Sequence, residues 1–248
     1  MSTKAIPIYI INLDRSPDRL HYVSKQLSKI EAPCERIVAV DGSQLEVEAL
    51  QYYQRQSKRS WSHYTTLSAG EIGCALSWHS AWQITSEHKS KACIVLEDDI
   101  KIHSNFKSTI NTLFKNLDEN IVIDLSGKKG VIEKERKNID DITLILYQTP
   151  PLGNLGAIYG KLATQVFLNK MQNFKAPVDT LQQMLWQHNV QTWSLEIGCL
   201  SHQDCDVGGS TIATQKKKIL SKVKKELCRP LWRAWIIIKN LLSNYPNK

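Results

Sequence analysis

The chain has 248 residues, 42% of them hydrophobic, enough to bury a full core, and one folded body is expected because no Gly/Ser/Pro linker interrupts its middle. The net charge of +8 is confined to the end: residues 216–248 carry ten Lys/Arg and one acid, Glu226, which leaves 22 of the 32 basic and 23 of the 24 acidic residues in a nearly neutral body and argues against a nucleic-acid partner. Six cysteines without a CxxC pair, an N-terminus without a secretory signal pattern, and no run of about 20 apolar residues point to free thiols and away from a bilayer-spanning chain.

Ile6 to Leu13 is a near-continuous apolar run and predicts a first central strand. Ser16-Pro17-Asp18 then offers a cap, a proline for the first helical position and an early acid, so a helix follows to about Ile30. Asn12, Asp14, Arg15 and Arg19 are the polar groups at this strand-to-helix junction, where helix-start chemistry and nucleotide binding are both open readings. Arg36 to Val40 predicts a second strand, stopped by the turn pair Asp41-Gly42. Gln44 to Arg59 could be a helix but lacks a clean apolar face. Ser68-Ala69-Gly70-Glu71 has the spacing of a capping box, and Ile72, Ala75, Leu76, Trp78, Ala81 and Trp82 continue it as a helix, so Glu71 has a structural explanation in hand.

Ala92 to Leu96 is a short apolar run with the marks of a buried strand, and it stops abruptly at Glu97-Asp98-Asp99. Three adjacent carboxylates repel one another unless positive charge sits among them, and a divalent cation held by hard oxygen ligands is the obvious partner. In open α/β sheets ligands bind beyond the carboxyl ends of strands, which is where these acids fall. Further strands are expected at 121–125, 142–147 and 190–197, with helices at about 105–117 and 162–171. Gly127 to Asp141 reads as a charged, turn-rich insert, Thr149 to Asn154 as a loop, and Gly156 to Gly160 as a segment whose small ends suit close approach to a ligand. Pro177-Val178-Asp179 resets the chain and presents Asp179 at a helix start, and 198–210 is expected to be a loop carrying His202, Asp204 and Asp206. The fold class is α/β: a mixed, mostly parallel sheet flanked by helices. There is no Walker loop, and no GxGxxG follows the first strand, which argues against the ATPase and dinucleotide readings.

Residues 8–15 with Arg19, then Val40-Asp41-Gly42, Gly70-Glu71-Ile72-Gly73-Cys74-Ala75-Leu76-Ser77 and Leu96-Glu97-Asp98-Asp99, resemble glycosyltransferase family 25. Gly156-Ala157-Ile158-Tyr159, Pro177-Val178-Asp179 and Ser210-Thr211-Ile212 resemble its later motifs, so the likeness spans residues 6–212. One departure is that Ser77 is followed by Trp78 where the family commonly has His. His79 comes a residue later and about 100° around the helix, so it does not inherit that place.

The resemblance implies a GT-A-like fold, a UDP-sugar donor, a divalent metal such as Mn²⁺, and inversion at the sugar carbon. It assigns the metal to Glu97 and Asp99, with His202 as a third ligand, and the catalytic base to Asp179, with Glu71 second. Donor binding falls to Asn12, Arg15, Arg19, Asp98 and Gly156. Residues 1–212 would form the catalytic domain. Residues 213–248 alternate bases with Trp and Ile, and read as an amphipathic tail in two helices about Pro230, made for an anionic membrane surface, with a docked C-terminal helix bearing a solvated basic face as the competing reading. The combined reading is a bacterial galactosyltransferase on the cytoplasmic face of the inner membrane, acting on lipooligosaccharide. UDP-glucose as donor, or a non-catalytic carbohydrate-binding protein, are the alternatives.

Overall fold

The computed structural model describes residues 6–59, 66–115, 117–170, 172, 175–203 and 219–243. Ser210-Thr211-Ile212, Asp204, Asp206 and Cys205 lie outside the described residues. The elements that position the site begin with β1 (Ile8–Asn12), whose five residues are all buried, and α1 (Pro17–Lys29), which turns Arg19, Val23 and Leu27 inward at helical spacing. β2 (Glu35–Val38) and α2 (Val47–Arg59) follow, then α3 (Ala69–Glu87) and β3 (Ala92–Glu97). The polar stretch before residue 60 is thus helical, and Leu50 and Tyr53 give it the apolar contacts it needs to dock.

The chain continues through β4 (Ile100–Ile102), α4 (Phe106–Lys115), β5 (Ile121–Asp124), β6 (Val131–Ile139), β7 (Ile142–Thr149) and β8 (Gly156–Gly160). After these come α5 (Lys161–Lys170), α6 (Val178–Gln183), α7 (Leu185–His188), β9 (Gln191–Leu195), β10 (Leu200–His202) and α8 (Ile219–Leu242).

Eight strands form one sheet in the order β2-β1-β3-β8-β5-β9-β7-β6, and only β8 and β7 run against the rest. The first half is parallel and the second mixed, as the alternation of elements predicts. Strand pleating sorts the core into two layers. Ile8, Ile10, Ile94 and Leu96 face one side with Val23, Leu27, Phe106 and Ile110, while Tyr9, Ile11, Cys93 and Val95 face the other with Ile72, Trp78, Trp82, Tyr159 and Phe167. β1 and β3 are parallel neighbours with Ile11 opposite Glu97, so Asn12 and the three acids emerge at the same sheet edge. β10 pairs with β4 as a two-stranded ribbon that closes over this edge.

Three expectations are corrected. The charged insert contains β6, an edge strand paired to β7; its residues are almost all exposed, so it carries no apolar alternation, and edge charge is a usual guard against further pairing. Gly156 to Gly160 is a buried strand between β3 and β5 rather than a ligand loop. The tail is one helix, α8, running through Pro230, and from Cys228 onward it is docked rather than free.

A proline inside a helix forfeits a backbone hydrogen bond and strains the turn, at about 3 kcal/mol or more. Tertiary contacts offset that loss: Ile236 is buried, Trp235 packs edge-on to Trp186, and Asn240 is fully buried. The Asn240 amide donates to Thr149 Oγ1 at 3.0 Å and to the Gln183 carbonyl at 2.9 Å, its side-chain oxygen accepts from Leu185 N at 3.1 Å, and its carbonyl accepts from Gln148. Asn240→Ala leaves buried backbone groups unpaired and is expected to destabilise the fold by about 3 kcal/mol. A fall in the urea midpoint at unchanged m checks this; an unchanged midpoint would mean that α8 is not docked.

Candidate active site

The site is built on the turn from Glu97 to Asp99, between β3 and β4. Its backbone is fixed by the ribbon: Gln203 N donates to the Asp99 carbonyl at 2.9 Å, and His202 sits opposite Ile100. Asp98 is held from both sides. Asn12 Nδ2 donates to its Oδ2 at 2.6 Å, and Arg19 Nη1 donates to its Oδ1 at 3.2 Å, with Asp99 Oδ2 a further 3.8 Å contact of the same guanidinium. Burial still raises the Asp98 carboxyl above its ordinary range, against the opposing pull of Asn12 and Arg19.

Glu97 is less well compensated. Burial and then the charge of Asp99 push its carboxyl up to about 8, and the Trp78 indole N–H, donating at 3.4 Å, offsets only part of that. Asp99 Oδ1 is buried and has no hydrogen-bond partner among the described residues. Arg19 thus pairs closely with Asp98 and more distantly with Asp99, and Glu97 and Asp99 keep oxygen atoms available in a half-buried corner. That donor set fits a hard divalent cation whose remaining ligands come from substrate phosphates and water. Among the described residues no three His, Cys, Asp or Glu side chains converge to hold a metal by themselves.

Two cavities meet at Glu97. The first, about 190 Å³, is lined by Arg15, Arg19, Asp41, Gly42, Trp78 and the three acids. Its far wall depends on two glycines: a Cβ on Gly73 would stand 2.5 Å from the Val40 carbonyl oxygen, and one on Gly42 would overlap the Ala69 carbonyl. Ser77 secures the same seam, accepting from Val40 N at 2.8 Å and donating to the Gly73 carbonyl at 2.7 Å. The Val-Asp-Gly and Gly-Cys motifs thus meet in space, and Asp41, held beside Gly42, forms an ion pair with Arg15.

The second cavity, about 310 Å³, shares only Cys74 and Glu97 with the first. Asp179 enters it from the first turn of α6, and Glu71, His202 and the α8 residues Arg229, Trp232, Arg233 and Ile236 line it as well. Asp179 Oδ1 accepts from Thr180 N at 2.7 Å; burial, aided by Glu71, nevertheless raises its carboxyl. A carboxylate raised in this way, in a cleft, is suited to taking a proton.

Of the residues singled out in the sequence, Arg15, Arg19, Glu97, Asp98 and Asp99 come together at the first cavity, and Glu71, Glu97, Asp179 and His202 at the second. Asn12 does not line either cavity; it is 1% exposed and braces Asp98, also donating to the Ser16 carbonyl at 2.8 Å. Gly156 is a packing glycine, because a Cβ there would meet Leu96 Cδ2 at 2.5 Å and Leu200 Cδ1 at 2.8 Å. One Glu71 oxygen is spent on the capping box, accepting from Ser68 N at 2.7 Å and Ser68 Oγ at 2.8 Å. His202 is exposed in the second cavity and forms no three-residue metal cluster with Glu97 and Asp99. Missed entirely were Trp78 as a partner of Glu97 and the α8 arginines, whose only sequence signal is their i, i+4 spacing in register with Ile236 and Asn240.

Residues 5–150 match the family model described as glycosyltransferase family 25 (LPS biosynthesis protein). The chain belongs to glycosyltransferase family 25. A Drosophila melanogaster glycosyltransferase 25 family member is 26% identical over 196 residues, covering 75% of this chain and 32% of that protein. Human procollagen galactosyltransferase 2 is 31% identical over 115 residues, 45% of this chain and 18% of that protein. Human inactive glycosyltransferase 25 family member 3 is 28% identical over 147 residues, 54% and 24%. The matched portion spans about a third or less of these relatives' own lengths.

In this family 25 chain the glycine seam generates its own test. Gly73→Ala overpacks α3 against the 40–42 turn and is expected to cost about 1–3 kcal/mol. A lowered thermal midpoint checks it, and an unchanged midpoint would show that the seam tolerates a methyl group.

Proposed function

We propose that this chain is an inverting, GT-A-type galactosyltransferase that moves galactose from UDP-galactose to a sugar of bacterial lipooligosaccharide, forming a β linkage. The observation that carries the reading is the half-buried carboxylate corner at the junction of two cavities, where Asp99 Oδ1 lacks a partner among the described residues and Glu97 is crowded by Asp99. The family description as an LPS biosynthesis protein supports the glycolipid acceptor, and the galactosyltransferase names among the relatives support the sugar.

UDP would occupy the first cavity, with Arg15 and Arg19 as its cationic groups, and the galactose would lie toward the second. Glu97 and Asp99 would hold a divalent cation such as Mn²⁺, which, when bound, supplies positive charge to the diphosphate leaving group. Asp98, fixed by Asn12 and Arg19, keeps the turn in place and its charge near the donor. Asp179 takes the proton of the acceptor hydroxyl as that oxygen bonds to the galactose anomeric carbon. The bond from that carbon to UDP breaks with its electron pair leaving on UDP. His202 stands at the mouth of the second cavity, available to either substrate.

Membrane contact belongs to the same reading. The face of α8 opposite its docked side exposes Leu231, Ile238, Leu241 and Leu242, in a segment of strongly basic sequence, as suits a helix lying on an anionic surface. Among the described residues no helix is long and apolar enough to cross a membrane. The site of action would be the cytoplasmic face of the bacterial inner membrane, where sugar nucleotides and growing glycolipids meet.

The purified protein, offered a panel of UDP-sugars with Mn²⁺ or with chelator, is expected to release UDP from UDP-galactose only with the metal; UDP-glucose as the preferred donor would correct the sugar, and no turnover of any donor would leave a binding protein. Asp99→Ala should lower kcat at least about 10²-fold while the fold survives, as for other lost charge-stabilising groups. Wild-type turnover by that variant would remove Asp99 from the site. For Asp179→Asn, UDP affinity should hold while transfer drops on the order of 10²-fold or more; unchanged transfer would show that the base lies elsewhere.

A further inference from the structure

The docked face of α8 changes character along its length. Residues 229, 233, 236 and 240 recur at i, i+4, i+7 and i+11 and so share that face. Ile236 and Asn240 are buried against the body, whereas Arg229 and Arg233 reach the second cavity, with Trp232 beside them. Had α8 needed only solubility, its arginines would sit on the outward face, which is instead apolar at Leu231, Ile238, Leu241 and Leu242. Neither guanidinium makes an ion pair with any described residue, although Glu71, Glu97 and Asp179 line the same cavity.

We infer that Arg229 and Arg233 form a subsite for an anionic group, a carboxylate or a phosphate, carried by the acceptor glycan. This rests on the transferase reading given above. Two arginines one helical turn apart present paired donors that match the oxygens of either anion. Trp232 supplies an adjoining aromatic surface for the apolar face of a sugar ring. The arginines make α8 the basic wall of this cavity, so the charge is placed there while the neutral accepting hydroxyl turns toward Asp179. The alternative target, the donor diphosphate, fits less well: Asp98, Asp99, Arg15 and Arg19 line the first cavity only, and Asp179, Arg229, Trp232 and Arg233 the second only.

The test uses the full chain with Arg229→Gln and Arg233→Gln combined, which removes both charges and keeps much of each side-chain stem. Binding is measured by ligand-observed NMR with sugar pairs that differ only in charge: glucose against glucose 6-phosphate, and galactose against galacturonic acid, each in the presence of saturating UDP. The wild-type protein should bind at least one charged member about tenfold more tightly than its neutral counterpart, and the double variant should lose that difference. The phosphate and carboxylate arms show which anion is preferred. Equal binding of charged and neutral members by the wild type, or discrimination retained in the double variant, overturns the subsite. So does a tenfold loss of UDP affinity in the variant, which would put the arginines on the donor. A thermal midpoint within a few degrees of wild type shows that the variant is folded. Charge discrimination without UDP-galactose turnover would fail the transferase reading while leaving the anion site standing; turnover without discrimination does the reverse.

Discussion

The structure depends on how three carboxylates are kept at the end of one buried strand. Moving a carboxylate out of water is costly unless it is paired or hydrogen-bonded. Arg19, itself 8% exposed, and Asn12 together satisfy both oxygens of Asp98, and both come from the first strand-helix unit, which runs alongside β3. Compensation is weaker at the other two. Glu97 has only the long Trp78 contact, and Asp99 keeps a buried oxygen unpartnered among the described residues. The same local arrangement that makes the acidic turn tolerable thus leaves Glu97 and Asp99 less compensated than Asp98.

The two cavities are made by different means. The first cavity is shaped by backbone contact, with Gly42 and Gly73 letting the 40–42 turn press on α3 and with Ser77 stitching the seam. Close backbone approach admits little variation in side-chain size. The other cavity is shaped by helices from distant parts of the chain: α3 brings Glu71 and Cys74, α6 brings Asp179, and α8 brings Arg229, Trp232 and Arg233.

α8 shows how one helix can serve two surfaces. Its inward face is fixed by Asn240, whose hydrogen bonds reach β7, α6 and the start of α7, and by the stacked Trp232 and Trp235 rings, 4.7 Å apart. Its outward face stays apolar. A helix with two apolar faces and intervening cations reads in sequence as a membrane-lying segment, because hydrophobic periodicity reports that a face will be buried and not what will bury it.

The amino-acid sequence by itself determined the local features: the apolar runs of β1 and β3, the proline-led start of α1, the Ser68–Glu71 capping box, and the acid triplet at a strand end. Each is fixed by residues within a turn or two of one another, where propensity and spacing are sufficient. Tertiary structure decided the rest. The exposed edge strand β6 is a strand only because β7 pairs with it, Gly156 is needed only because Leu96 and Leu200 crowd it, and Asn12 became a brace only when Asp98 arrived beside it. The assignment of α8's two faces likewise waited on the body against which one of them packs, since a chain cannot specify its distant neighbours through its own periodicity.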